Sequence, residues 1–407
     1  MKVCGIIAEY DPFHNGHAYL IDCLRQQHGA THLVAVMSGH VTQRGSLSCF
    51  DKWTRTQAAL MGGIDLVLEL PAPFACASAE YFARSGIQIL QKLGCVSLLG
   101  FGSESGNLTA LKDLAKACWE VEKNGMVAAK LEAGMSYPRA RMEAVAGLTG
   151  VEASLLSHPN DLLAVEYLKA LRTTDSPAGS IQPVAVPRKG VSHDAPVPDG
   201  GFASASFLRR ICNDPVFCNT LQDFVPPAAF SLYQEALKMQ HAPAALENLE
   251  QAVLYRLRFA SPQDFSVLPD VTEGLEHRLF RAAAVCNSIA EFLQLAKTKR
   301  YTHSRLRRIL FCLLAGITKE DTALDPYIRV LGMNVKGREI LAAARKTASC
   351  RPSPLFKQLA AVHPRLAEIE CHVSALRSLS LGKSECLAEE FQKSPVLLNE
   401  NNENVEI

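Results

Sequence analysis

The feature that most constrains this chain is its opening join between an apolar run and a helical pattern. Val3 to Ala8 is too short for a helix and lacks the polar alternation of a half-exposed strand, so it reads as a buried parallel strand. From Gly16 to Arg25 the apolar residues recur at helical spacing. Between them lies Glu9-Tyr10-Asp11-Pro12-Phe13-His14-Asn15-Gly16-His17, at a strand's carboxyl end and a helix's amino end. Open α/β sheets bind ligands at such joins, and the free N–H groups and dipole of the helix favour phosphate there. Two histidines split by a glycine fall on that spot.

The pattern then repeats. Thr31 to Met37 reads as a second buried strand, ending in a polar loop, Ser38 to Ser46. A helix is predicted over about Asp51 to Met61, a strand over Asp65 to Leu70 stopped by Pro71, and a helix over about Ser78 to Leu93. The strand Val96 to Phe101 opens into Gly102-Ser103-Glu104. Strands alternating with helices of this length form βαβ units, so the expected fold class is α/β, a Rossmann-like parallel sheet covered on both faces. Leu108 to Lys123 and about Asp161 to Leu171 are helical in pattern, the latter started by Pro159-Asn160-Asp161. Ile181 to Val186 is a last strand candidate, running into Pro187-Arg188-Lys189-Gly190. Gly190 to Gly201, rich in Gly, Pro and Asp, reads as a mobile loop, and a helix begins in Ala203 to Arg210. From about Phe224 no strand is predicted, and leucine- and alanine-rich helical segments run to about Leu381. The expected division is an α/β part over 1–223, an all-α part over 224–385 and a polar, flexible tail over 386–407.

A formal charge of +1 gives no global electrostatic footprint, so any nucleic-acid contact must come from a local patch. The 13 cysteines are scattered and form no CxxC pair, which suits reduced thiols rather than a disulfide framework or structural zinc. No secretory signal pattern opens the chain and no apolar run reaches membrane-spanning length, so no membrane association and a cytoplasmic location are expected.

Chemistry is expected first at His14 and His17, whose imidazole N–H groups can donate to phosphate oxygens as charge builds during transfer at phosphorus. Gly16 between them lets the backbone turn tightly and approach a ligand. Ser204 and Ser206, at the start of a late helix, would hold a pyrophosphate with Arg209 one turn on, although the same residues also suit an ordinary helix cap.

The run Gly5 to His17 resembles the HxGH signature of the nucleotidyltransferase superfamily, and Ala203 to Arg209 fits its second, serine-rich signature. Further segments narrow the likeness: Met37-Ser38-Gly39 with Gln43-Arg44-Gly45, Asp65 to Pro71, Phe101 to Glu104, and Pro159-Asn160-Asp161 with Glu166 to Lys169. Together they resemble the bacterial tRNA(Met) cytidine acetate ligase family. That resemblance implies a ligase that turns ATP and acetate into acetyl-adenylate, with Mg²⁺, and then acetylates N4 of the wobble cytidine of elongator tRNA(Met). It implies His14 and His17 as catalytic residues. The ATP site would be Ile7, Ala8, Glu9, Tyr10, Asp11, Pro12, Phe13, His14, Asn15, Gly16, His17, Ala18, Tyr19 and Leu20, with Gly102, Asn160 and Arg188, and with Ser204, Ser206 and Arg209 on the pyrophosphate. No residues hold a metal by themselves in this reading. Asp11 departs from the asparagine more usual in that family and is what small-molecule adenylyltransferases carry, which keeps adenylylation of a small metabolite as the alternative.

The likeness continues into Lys297 to Arg308, where Lys297, Lys299, Arg300, Arg305, Arg307 and Arg308 occur with no acid among them. These are expected to bind the tRNA backbone, with Tyr301 stacking on a base; a bland basic surface is the competing reading. Gln43, Arg44 and Lys52 are expected to guide the anticodon toward the site.

Overall fold

The five strands expected in the first half form, and two more join them. Strands β1 (Val3–Ala8), β2 (His32–Ser38), β3 (Leu66–Leu70), β4 (Leu98–Ser103), β5 (Gln182–Pro187), β6 (Val330–Met333) and β7 (Val396–Leu397) make one sheet in the order β5-β4-β1-β2-β3-β6-β7. The computed structural model describes residues 1–148, 152–173, 181–189, 198–214, 218–272, 274–383, 389–401 and 403–404. Most of the loop expected from Gly190 to Gly201, namely 190–197, lies outside the described residues.

β1 pairs in parallel with β2, Val3 opposite His32, and with β4, Cys4 opposite Leu98. The chain steps from β1 outward to β2 and β3, then returns to lay β4 and β5 on the other side. The boundary between β1 and β4 is therefore the topological switch point, where a crevice opens at the strands' carboxyl ends.

Both faces of the sheet are covered, as the apolar runs require. Leu33, Ala35 and Met37 of β2 pack in one core with Ile21 and Leu24 of helix α1 (Asn15–Gln26) and Ala58 and Leu60 of helix α2 (Lys52–Met61). Val34 and Val36 face the other core, with Ile87, Leu90 and Leu93 of helix α3 (Ala79–Leu93) and Leu111 and Leu114 of helix α4 (Leu108–Lys123). The helices sit close: a Cβ on Gly5 would lie 2.6 Å from Leu90, and one on Gly100 would lie 2.5 Å from Leu24. Helices α5 (Tyr137–Ala146), α6 (Pro159–Thr173) and α7 (Ala205–Cys212) follow in the first half, which also holds the short helices Ala72–Ala75 and Met126–Glu132.

The expectation of no strand beyond Phe224 is corrected by β6 and β7. β6 runs antiparallel to β3, Leu66 opposite Met333, and β7 pairs with β6. At four and two residues they are too short to carry a period of their own among helical segments. The expected polar tail is partly packed as well: Val396, Leu397, Leu398 and Glu390 are buried, while 386–388, 402 and 405–407 lie outside the described residues.

Glu390 belongs to a buried charge cluster that also corrects the expectation for Lys52. Lys52 is wholly buried, its Nζ 2.5 Å from Glu69 and 2.8 Å from Glu390. Arg329 bonds the same two carboxylates at 3.1 and 2.5 Å. An ammonium so enclosed cannot reach a tRNA; it ties α2 and β3 to the carboxyl-terminal segment. Among the described residues no helix is long and apolar enough to cross a membrane, and no cysteine is disulfide-bonded.

Candidate active site

At the switch point the HxGH residues form a helix cap of unusual composition. His14 is the N-cap of α1, and its Nδ1 accepts the Gly16 N–H at 3.0 Å. The His14 N–H in turn donates to His17 Nδ1 at 3.2 Å. Histidines thus take the two roles that Ser and Glu take in an ordinary capping box. With each Nδ1 accepting a backbone proton, each neutral ring carries its own hydrogen on Nε2. The rings stack with centroids 3.8 Å apart. Burial, helped by His14 and Arg188, holds the His17 pKa well below its ordinary value, so at neutral pH it is an uncharged N–H donor. Gly16 is required by His14 itself, because a Cβ there would meet the ring at 2.9 Å.

The loop before the helix is held from several directions. Tyr10 has φ 49°, a left-handed conformation rare for an aromatic residue, and its buried ring packs edge-on against Phe13 and His17. Asp11 is buried: its carboxylate accepts the Cys49 N–H at 2.8 Å, and its carbonyl accepts Arg209 Nη1 at 2.7 Å. The backbone of Asp11 therefore joins the two signatures, while its carboxylate holds the Cys49 N–H and lies 3.7 Å from Arg209. Arg55, fully buried, donates to the carbonyls of Glu9, Ser38, Gly39 and Phe50 and so fixes the ends of β1 and β2. Tyr233 donates to the Phe13 carbonyl region and accepts the Phe13 N–H at 2.9 Å. Neither Arg55 nor Tyr233 stood out in sequence, where each is one residue on an ordinary helix face.

A cleft of about 1160 Å³ opens above these residues. Of the expected ATP residues it is lined by Ile7, Ala8, Glu9, Tyr10, Asp11, His14, Gly16, His17, Tyr19, Leu20, Gly102, Asn160 and Arg188. Pro12, Phe13, Asn15, Ala18, Ser204, Ser206 and Arg209 do not line it, although Ala205 of the serine turn does. Phe13 is core, and the Asn15 amide donates to the carbonyls of Gly201 and Asp223. Gly102 faces the cleft with only Arg188 Cγ, at 3.5 Å, near the place a Cβ would occupy. No protein packing demands glycine there, so the space fits a ligand. Among the described residues Arg188 Nε is buried without a hydrogen-bond partner, and Glu104 accepts the Asn160 side-chain amide at 2.6 Å.

Ser204 caps α7, its Oγ accepting the Phe207 N–H at 3.2 Å and lying 3.2 Å from Ser206 Oγ. The capping reading of this turn is therefore met, and Arg209 links the turn to the first signature through the Asp11 carbonyl.

The basic run divides. Lys297 and Lys299 are exposed, while Arg300, Arg305 and Arg308 line the cleft. Arg308 is buried in an ion pair with Asp270 at 2.7 Å, and Arg307 pairs with Glu247 at 2.6 Å. Tyr301 is buried with the Arg305 guanidinium over its ring, which corrects the expectation that it stacks on a base. Gln43 is also occupied, donating to the Ala77 carbonyl at 2.9 Å.

The relatives of this chain match it nearly end to end. A family model described as HIGH nucleotidyl transferase matches residues 1–391. A tRNA(Met) cytidine acetate ligase of Lysinibacillus sphaericus is 33% identical over 97% of this chain and 100% of its own. One of Caldicellulosiruptor saccharolyticus is 36% identical over 98% and 99%. The chain belongs to the tRNA(Met) cytidine acetate ligase family. A crystal structure of Thermotoga maritima TmcAL bound with alpha-thio ATP superposes with a TM-score of 0.89 at 29% identity, covering 98% of this chain and 100% of that one. The apo form of the same Thermotoga protein gives 0.91 at 30% identity.

Proposed function

We propose that this protein is an ATP-dependent ligase that activates acetate as acetyl-adenylate and transfers the acetyl group to N4 of the wobble cytidine of elongator tRNA(Met). The observation that carries this is the stacked pair of imidazoles at the switch point, each with its Nδ1 accepting a backbone N–H. In the first half-reaction an acetate oxygen attacks the α-phosphorus of ATP and pyrophosphate leaves. The Nε2–H groups of His14 and His17 donate to the oxygens on which charge accumulates, and they need no reorganisation to do so. Arg188 and the Ser204 to Arg209 turn hold the phosphates, and Gly102 admits the nucleotide to the strand end. In the second half-reaction the cytidine amine attacks the acetyl carbonyl and AMP leaves. Among the described residues no group of three potential metal ligands occurs, so Mg²⁺ would travel on the nucleotide phosphates and be held through them.

Acetate-dependent exchange of labelled pyrophosphate into ATP tests the first half-reaction; exchange driven by a nucleotide co-substrate without acetate would favour the small-metabolite adenylyltransferase instead. Gly102→Val fills the ligand's space and is expected to weaken ATP binding by roughly tenfold or more, on the 1–3 kcal/mol scale of overpacking. Calorimetric titration reads this, with the melting temperature little changed.

Residues 224–385 are proposed as the tRNA-binding part, with exposed Lys297 and Lys299 on the phosphates and Arg300 and Arg305 at the cleft mouth. Replacing both lysines by alanine is expected to lower the slope of log binding constant against log salt by about 1.5, the release of two counterions. An unchanged slope would remove these lysines from the interface.

A further inference from the structure

Acylation of an amine leaves a surplus proton on nitrogen, and the groups around the phosphates cannot take it. His14 and His17 present N–H donors with their Nδ1 atoms already bonded. Among the carboxylates lining the cleft, Glu9 accepts the Gln43 N–H at 2.6 Å, Asp11 is bonded to Cys49 and Asp270 is paired with Arg308. Glu166 bonds Arg141 at 2.6 Å and Lys169 at 3.2 Å. Glu80 alone of these has no hydrogen bond or ion pair among the described residues.

Glu80 stands in the first turn of α3, exposed to the cleft. The turn just before it is tied to the end of β1, since Gln43 donates both to Glu9 and to the Ala77 carbonyl. Beside it Arg141 and Lys169 are matched by Glu122 and Glu166, with Tyr137 donating to Glu122 at 3.0 Å. That quartet is balanced in charge; Arg300 and Arg305 also line the cleft, and Arg84, one turn on from Glu80, stacks on the Tyr81 ring. A cleft carboxylate with no partner of its own among the described residues suits a group that donates hydrogen bonds and then loses a proton, such as an exocyclic amine.

We propose that Glu80 is the general base of the acetyl-transfer step, in a nucleobase subsite walled by Tyr137, Arg141 and Glu166. The N4–acetyl bond forms, the bond from the acetyl carbon to the phosphoryl oxygen breaks, AMP leaves with that electron pair, and the N4 proton passes to the Glu80 carboxylate. Although its surface is open to the cleft, the surrounding protein partly desolvates the Glu80 carboxyl and raises its pKa, with Lys169 and Arg141 opposing the rise and Glu166 and Glu122 adding to it, which brings a carboxylate nearer the range of an effective base.

This rests on the acetylation reading, and the two are separable by experiment. Wild-type protein is first tested for acetate-dependent pyrophosphate exchange, and transfer from preformed, enzyme-bound acetyl-adenylate to tRNA is then followed in a single turnover. Glu80→Gln is expected to slow that transfer about 100-fold or more and to abolish the acid limb of its pH profile, while Glu80→Asp keeps the limb at an intermediate rate. Exchange in the wild type together with Glu80→Gln transfer within about threefold of it, acid limb intact, overturns the role of Glu80 alone. Absence of wild-type exchange removes the acetate reading and this proposal with it.

Discussion

Alanine at His14 or His17 is expected to lower acetate-dependent pyrophosphate exchange by about 100-fold or more, the loss typical of one preorganised donor to a developing anion. Each histidine also caps α1, so part of the effect could be lost structure; removing a cap costs about 1 kcal/mol. His17→Gln separates the two contributions. Glutamine at this third helical position can still accept the His14 N–H, as it does in ordinary capping boxes, so the melting temperature should stay close to wild type. Its amide lacks the fixed direction of the stacked imidazole N–H, so exchange should still fall. Exchange that declines only in step with the folded fraction would contradict a catalytic role.

The second large effect is on stability. Lys52→Met leaves Glu69 and Glu390 buried with one cation fewer, a change expected to cost about 3–5 kcal/mol in urea denaturation. Glu370 in the same cluster should behave differently. Burial beside Glu69 pushes its carboxyl up to about 8, so near neutrality it is protonated and Lys52 and Arg329 face two carboxylates rather than three. Its folded pKa lies above its ordinary value of 4.5, so its contribution to stability is complete below about 4.5 and is lost as pH rises through about 8. Glu370→Gln, which keeps an acceptor for the Ala72 N–H, should therefore match wild type below about pH 4.5, gain on it progressively as pH rises, and show its largest relative stabilisation above about pH 8. A variant whose stability tracks wild type across that range would contradict the assignment.

The elements legible in sequence were those with a period long enough to read. Leu108 to Lys123 is helical over its predicted bounds, and β1 spans Val3 to Ala8 as expected. β6 and β7 are not legible in sequence because a strand of four residues or two shows no alternation, and only the pairing of β6 with β3 and of β7 with β6 defines them. The two histidines were legible as a phosphate site because type, spacing and position at a strand-to-helix join agreed. Lys52 and Tyr301 were misread for the opposite reason. A lysine, or a tyrosine in a basic run, has the same local signature whether solvated or buried; for Lys52 the distant Glu390 decides, and for Tyr301 the fold of the basic run itself, which lays Arg305 over its ring. Asp11 was unexplained in sequence because its partners, Cys49 and Arg209, come from α2's approach and from α7.

The most direct test supplies the protein with ATP, labelled acetate and unmodified elongator tRNA(Met). Label in the tRNA as N4-acetylcytidine at the wobble position, with AMP and pyrophosphate formed in equal amounts to it, is the predicted result. ATP cleavage that is indifferent to acetate, or a tRNA that stays unlabelled, would contradict it.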